Sequence, residues 1–368
     1  MKLWLSVTAA MAVASVGACD GRPLDPLGQA GSGGTTMPGD AGASGTWGAA
    51  GTGGAAGNGG SMAGSGGGAA GTDSGPAGSP GTGGTLIVAA CGSTTLAGLG
   101  ATGTIAFDSD REDFNRDIYT IRVDGSDLTR LTSTPGIDKE PSFAPDGGRI
   151  SFTSDRSGKF QIHLLELATM QVTQLTNVAD AADQSSFSRD GRRVAFHSGA
   201  SVWLINTDGT GLKLVATGLD TFNAYFWPHF SADDSELVFD RNNEIDAARI
   251  DGSGMRQIVQ NWTTTIKSPA VSPGGADVAY DVYCTGGPSI WTTPFSAKTN
   301  PCEGRRVTPV GEPDGHRPTW GPNNLIAYER VDRATNVGAI AVISRVSGSV
   351  PCLLTPDASD SRNPAWSF

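Results

Sequence analysis

The chain has 368 residues, a formal net charge of -11 and 52 glycines, 25 of which fall between residues 20 and 85. Whole-chain averages therefore mix two kinds of sequence, and each part has to be read by itself. About -9 of the charge lies after residue 85, and an acidic globular domain repels phosphate backbones and anionic lipid surfaces, which argues against a nucleic-acid partner.

The chain opens with Lys2 and an apolar run of about 14 residues, Leu3 to Val16, which is too short to span a bilayer as a helix. It ends in Val16-Gly17-Ala18-Cys19, the pattern of a bacterial lipobox. Residues 1–18 read as an export signal and Cys19 as the thiol that receives the lipid. An ordinary secretory signal cut nearby is the alternative. Residues 19–84 are Gly, Ala, Ser, Thr and Pro with almost no large apolar side chains. Such a segment buries too little surface to offset chain entropy, so it reads as a disordered tether with a reach on the order of 45 Å. From residue 85 to the end the composition is that of a folded domain.

That domain repeats itself. The string Pro141-Ser142-Phe143-Ala144-Pro145-Asp146-Gly147 returns around Phe187, Phe230, Val271, Trp320 and Trp366, at successive spacings of 44, 43, 41, 49 and 46 residues. Each copy reads as four short strands. Strand a holds the anchor, and an Asp-Gly turn leads to strand b, such as Ile150-Ser151-Phe152. Strand c follows, such as Asp117-Ile118-Tyr119, then a second Asp-Gly turn and strand d, such as Arg130-Leu131-Thr132. Four antiparallel strands repeated radially give a propeller. The first copy starts at strand b, Ile105-Ala106-Phe107, and the last stops after a lone strand a, Pro364 to Ser367. The two ends should therefore complete one blade and close a six-bladed ring. Two copies depart from the pattern. The fourth has Asp246-Ala247-Ala248 in strand c, and the fifth has what reads as a long b–c loop.

These strings resemble the PD40 repeats of TolB-like propellers, which follow Pro-x-Trp-Ser-Pro-Asp-Gly with Ile-Ala-Phe and Ser-Asp-Arg. The resemblance spans residues 104–368. It implies an all-β propeller and leaves function open. Similar repeats serve as a protein-docking module, as gating rings on some serine peptidases, and as the body of oligogalacturonate lyases. The histidine and glutamine set those lyases place around a metal is not matched by motif here.

Binding on a rigid ring usually lives in its variable loops and its channel. The residues just before each anchor motif, Glu140, Gln184, Trp227, Ser268, Arg317 and Asn363, should ring one channel mouth. Ser142, Ser186, His229, Ala270, Thr319 and Ala365 should line the next layer. Of these, Glu140, Gln184, Trp227, His229 and Arg317 are candidate contacts for a ligand or partner, with His316 nearby. Tyr225, with Phe222 and Phe226, reads as a loop aromatic, as do Trp262 and Tyr283. These rings either meet a partner or pack between blades. Four cysteines remain after Cys19, an even number in an exported domain, and allow three pairings. Cys284 with Cys302 is the favoured pair, leaving Cys91 with Cys352. No close CxxC spacing suggests a metal site, and the acidic run Asp108–Asp113 lacks the glycine and closing glutamate of a calcium loop. No cofactor motif, nucleophile elbow or phosphate loop is present. The sequence thus points to a non-enzymatic, membrane-anchored envelope lipoprotein whose propeller binds protein. A propeller that binds or cleaves carbohydrate of the wall or an extracellular polymer is the alternative.

Overall fold

The computed structural model describes residues 96–367, apart from 219–223, 261–263, 285, 347–348 and 357–358. The expected export signal, Cys19, the glycine-rich tether and Cys91 lie outside the described residues.

Six antiparallel sheets of four strands form the blades of a β-propeller. Blade 1 contributes β1 (Thr104–Ser109), β2 (Asp117–Arg122) and β3 (Thr129–Arg130). Blade 2 is β4 (Asp138–Phe143), β5 (Arg149–Ser154), β6 (Gln161–Glu166) and β7 (Gln171–Gln174). Blade 3 is β8 (Ala182–Phe187), β9 (Arg193–Ser198), β10 (Ser201–Asn206) and β11 (Lys213–Thr217). Blade 4 is β12 (Tyr225–Phe230), β13 (Glu236–Arg241), β14 (Glu244–Arg249) and β15 (Arg256–Val259). Blade 5 is β16 (Ile266–Val271), β17 (Asp277–Cys284), β18 (Gly287–Pro294) and β19 (Arg305–Arg306). Blade 6 is β20 (Asp314–Trp320), β21 (Leu325–Val331), β22 (Gly338–Ser344) and β23 (Cys352–Leu353). The last strand, β24 (Ser361–Trp366), returns to blade 1 and pairs antiparallel with β1, Ile105 opposite Trp366. The polypeptide's end thus fills the gap at its head, and each blade keeps an inner strand on the axis.

The Ile-Ala-Phe string explains the core. Its aromatics Phe107, Phe152, Phe196, Phe239, Tyr280 and Tyr328 are fully buried in the second strand of each blade. Apolar side chains from facing sheets cluster between neighbouring blades, as between blades 2 and 3 around Phe187 and Phe196. Six such clusters, one for each interface, replace a single central core.

The turns between first and second strands need left-handed backbone. Gly147 and Gly191 supply it at φ 67°. Blade 4 has Asp234 there instead, at φ 59°, a conformation Asp tolerates better than most residues. Its carboxylate is used: Oδ1 accepts the Arg189 N–H at 2.7 Å and Oδ2 the Asp190 N–H at 3.0 Å, tying this turn to the one on blade 3.

Blade 5 differs from expectation. There is no long b–c loop: β17 and β18 are eight-residue strands paired as far as Cys284 opposite Gly287. Gly286 and Gly287 take φ 93° and 104°, which permits the tight reversal. Cys284 and Cys302 are joined by a disulfide, with Cα atoms 6.1 Å apart. Cys352 is buried and also disulfide-bonded.

Candidate functional site

The inner strands β4, β8, β12, β16, β20 and β24 share one irregularity. Each carries a β-bulge, where its register against the next strand shifts. The bulge residues Glu140, Gln184, Trp227, Ser268, Arg317 and Asn363 have φ between 49° and 57°. Left-handed backbone costs a non-glycine residue about 1–2 kcal/mol, so six instances must be held in place. Proline follows five of the six, and a bulge is where a strand tolerates a residue without an N–H.

Side chains of the preceding blade hold five of the six N–H groups. Asp108 Oδ1 accepts the Glu140 N–H at 2.9 Å, and Glu140 Oε2 accepts the Gln184 N–H at 3.1 Å. Gln184 Oε1 accepts the Trp227 N–H at 3.0 Å. Asp240 Oδ2 accepts the Ser268 N–H at 3.0 Å, and Asp281 Oδ1 accepts the Arg317 N–H at 3.4 Å. Asn363 Nδ2 donates back to Asp108 Oδ1 at 2.6 Å. Buried polar groups thus link blade to blade around the axis.

The turned backbone brings all six bulge side chains to one mouth of the central channel, around a cavity of about 110 Å³. The residues two positions on, Ser142, Ser186, His229, Ala270, Thr319 and Ala365, border the same cavity. Across the mouth, the Arg317 guanidinium lies 5.2 Å from the Trp227 ring centroid, bridging over the small Ser268 of the blade between them. Arg317 Nη1 also donates to Glu329 Oε2 at 2.5 Å. Further along the axis a second cavity of about 90 Å³ is bordered by Arg189, Phe143, Phe187, Trp320 and Trp366. His229 borders both.

Sequence reading missed the carboxylates behind the mouth. Asp108, Asp240, Asp281 and Glu329 occupy the position after the buried aromatic of the second strand, and all four are buried. The register shows why Asp240 escaped notice. Asp240 faces Ile245 as Asp108 faces Ile118, so Asp240-Arg241 is offset by two residues from Asp110-Arg111 and Asp155-Arg156. Alignment on the aromatic, rather than on the Asp-Arg dipeptide, would have found the set.

Burial raises the carboxyl of Asp108, although Arg116 bridges it to Asp360 and opposes the rise. Burial raises Glu140 as well. Burial, with the neighbouring Asp281 charge, pushes Asp240 up to about 8, and it forms no salt bridge among the described residues. Burial and the charge of Arg189 pull His229 down to about 4, so this imidazole is neutral in ordinary conditions. At His316 burial lowers the pKa, but the hydrogen bond to Asp281 at 3.3 Å and the charges of Asp281 and Glu329 outweigh it and leave a net rise.

The remaining expected contacts divide. Tyr225 is not a loop aromatic: it starts β12, is buried, and packs edge-on against Phe239 at 4.9 Å. Phe226 rests on His197 at 4.5 Å, and His197 Nδ1 lies 2.6 Å from Asp183 Oδ1. Tyr283 belongs to β17 rather than to a loop, with half its surface exposed. Phe222 and Trp262 lie outside the described residues. His163 is buried in blade 2 beside Phe152. No group of three or more His, Cys, Asp or Glu is placed to hold a metal among the described residues.

Residues 100–244 match the family model of the TolB beta propeller domain, PD40. A protein TolB homolog of Chlorobium luteolum is 43% identical over 68 residues, 18% of this chain and 14% of that protein. The Tol-Pal system protein TolB of Bordetella pertussis is 55% identical over 47 residues, 12% of this chain and 11% of that protein. The chain therefore spans only a small part of either relative. The crystal structure of TolB from Acinetobacter baumannii superposes with a TM-score of 0.60 at 17% identity, covering 72% of this chain and 66% of that one.

Proposed function

We propose that this TolB-like six-bladed β-propeller is a non-enzymatic protein-binding module, carried on a lipid-anchored tether in the bacterial cell envelope. The chain divides into an export signal at 1–18, a tether at 19–84 beginning at the lipidated Cys19, and the propeller at 85–368. One observation carries the binding role. Six different blades hold strained bulge residues at one channel mouth, and their side chains are Glu, Gln, Trp, Ser, Arg and Asn. Strain kept at every repeat marks a surface that the fold over-determines. Trp and Arg, stacked on one another at that mouth, are the residue types that most often dominate binding between proteins.

The non-enzymatic reading rests on what the histidines do. His163, His197, His229 and His316 engage backbone atoms or carboxylates, and none is hydrogen-bonded to a hydroxyl or thiol among the described residues. The Tol-Pal name of a relative supports an envelope protein as partner.

The test is a crosslinking pull-down from intact envelope with the full lipidated chain, beside a Trp227→Ala, Arg317→Ala double variant. Specific proteins captured by the native chain and lost from the variant are expected. Equal capture by both moves the binding surface elsewhere. Glycan-array binding that disappears in a Trp227→Ala, His229→Ala variant, with no protein captured, would replace the proposal with carbohydrate recognition.

A further inference from the structure

The channel mouth contains polar atoms that the fold itself does not use. Ser186 Oγ and Asn363 Oδ1 are buried, at 8% and 9% residue exposure, and neither has a hydrogen-bond partner among the described residues. Both residues border the cavity at the mouth, with Glu140 between them around the ring. The Asn363 orientation is fixed by its amide nitrogen, which donates to Asp108. Its carbonyl oxygen is therefore left as an acceptor, and a buried acceptor without a donor costs about 1–3 kcal/mol.

What is missing is a donor. Two of the three groups offer lone pairs at once: an amide oxygen and the buried Glu140 carboxylate. The Ser186 hydroxyl can offer them as well. The nearby positive charges are already engaged: Arg317 by Glu329, Arg116 by Asp108 and Asp360, and Lys139 by Glu140 at 3.3 Å. Asp281, just behind the mouth, has no arginine or lysine partner among the described salt bridges, and its carboxylate lies 3.3 Å from His316. The surroundings favour a positive ligand, and so does the chain's net charge of -11.

We infer that the mouth is a receptor for a primary ammonium group, presented by a lysine side chain on a basic segment of the protein partner. The inference rests on the protein-binding reading above. An ammonium carries three donors and no acceptor, which matches an amide oxygen, a hydroxyl and a carboxylate. A divalent metal ion prefers six or more oxygens with several carboxylates, and this cavity borders one carboxylate. A cavity of about 110 Å³ has room for several waters or one slender side chain.

The test titrates the full chain with an end-capped Gly-Gly-Lys-Gly-Gly peptide and follows the side-chain and backbone NMR signals of Trp227 and Ser186. Counterparts carrying norleucine or Nε-acetyl-lysine serve as controls. Saturable shifts are expected with lysine alone. Glu140→Gln, which keeps the shape and an acceptor for Gln184, should weaken binding about tenfold. Ser186→Ala removes a hydroxyl without a hydrogen-bond partner among the described residues, and should weaken it about threefold without unfolding the domain. If Glu140→Gln does not fold, Ser186→Ala decides. Equal binding of the norleucine peptide, native-like binding by Ser186→Ala, or the same shifts produced by calcium chloride or by maltose would each overturn the inference. Failure here beside a mouth-dependent envelope pull-down ends only the ammonium claim. Success here without any captured protein ends the wider reading instead.

Discussion

The Trp366 indole N–H donates to the Thr102 carbonyl oxygen at 2.8 Å, joining residues 264 apart in the chain. The same ring lies against Gly321, where an added Cβ would come within 2.5 Å of it. Trp366 therefore closes the ring twice, by strand pairing to Ile105 and by filling the interface of blades 6 and 1. Trp366→Ala should cost about 3–5 kcal/mol, as truncation of a buried tryptophan does. Gly321→Ala should destabilise through the clash, and the combination with Trp366→Ala should cost less than the sum. Urea unfolding of the three variants measures this, and full additivity would show that the two residues do not share a contact.

Asp240 gives stability a pH dependence of known sign. Its carboxyl is held near 8 in the fold, against about 4 in an unfolded chain. Between those values the unfolded state loses the proton and the native state keeps it. Stability from this group is therefore complete below pH 4, falls as pH rises, and levels off above about 8. Asp240→Asn removes the penalty and keeps an acceptor for the Ser268 N–H. The variant should be more stable than the native chain at pH 8, by about 1–3 kcal/mol, with the gap closing towards pH 4. Unfolding midpoints at pH 5 and pH 8 read the difference directly. A gap that widens on acidification would reverse the assignment.

Ring closure and the twelve positions around the channel mouth were legible in the sequence because one aromatic anchor recurs at a near-constant spacing. That periodicity survives wherever packing between blades demands a large apolar side chain. It says little about side chains that bond across blades. Asp108 and Asp240 do the same work on different blades, but matching on the Asp-Arg dipeptide sets Asp240 beside Asp110 and passes over Asp108. Tyr225 was misplaced for a related reason. A run of four aromatics looks like a loop surface, but β12 begins at the first described one and turns it onto Phe239. The long loop expected in blade 5 became strand because Gly286 and Gly287 allow the reversal in little space.

The Cys284–Cys302 disulfide ties the end of β17 to the segment between β18 and β19, closing a loop of 18 residues that contains β18. Loop-closure entropy for that length is worth about 3 kcal/mol. A Cys284→Ser, Cys302→Ser double variant should lose about 2–3 kcal/mol while leaving Cys352 bonded. Thermal unfolding of this variant, compared with the native chain, is the measurement. A reducing agent would not serve, since it would also open the bond at Cys352. An unchanged midpoint would mean that β17, β18 and their eight-residue pairing hold the blade without the bridge.

Glu329 is the inner carboxylate that holds two arginines. Its side chain is 1% exposed, and its two oxygens take Arg317 at 2.5 Å and Arg362 at 2.9 Å. Replacing it by glutamine keeps the shape and removes the charge, which leaves Arg317 with no salt-bridge partner among the described residues, while Arg362 retains Asp360 at 2.7 Å. Breaking one partner of a buried ion pair costs about 3–5 kcal/mol, because the other charge is left without compensation. Glu329→Gln should therefore destabilise the domain by at least about 2 kcal/mol, and it should free Arg317 from its place over Trp227. The first effect is read by urea unfolding. The second is read as a change in Trp227 fluorescence, assigned by subtraction of a Trp227→Phe spectrum. Loss of stability with an unaltered Trp227 signal would show that the stacking holds Arg317 at the mouth without help from Glu329.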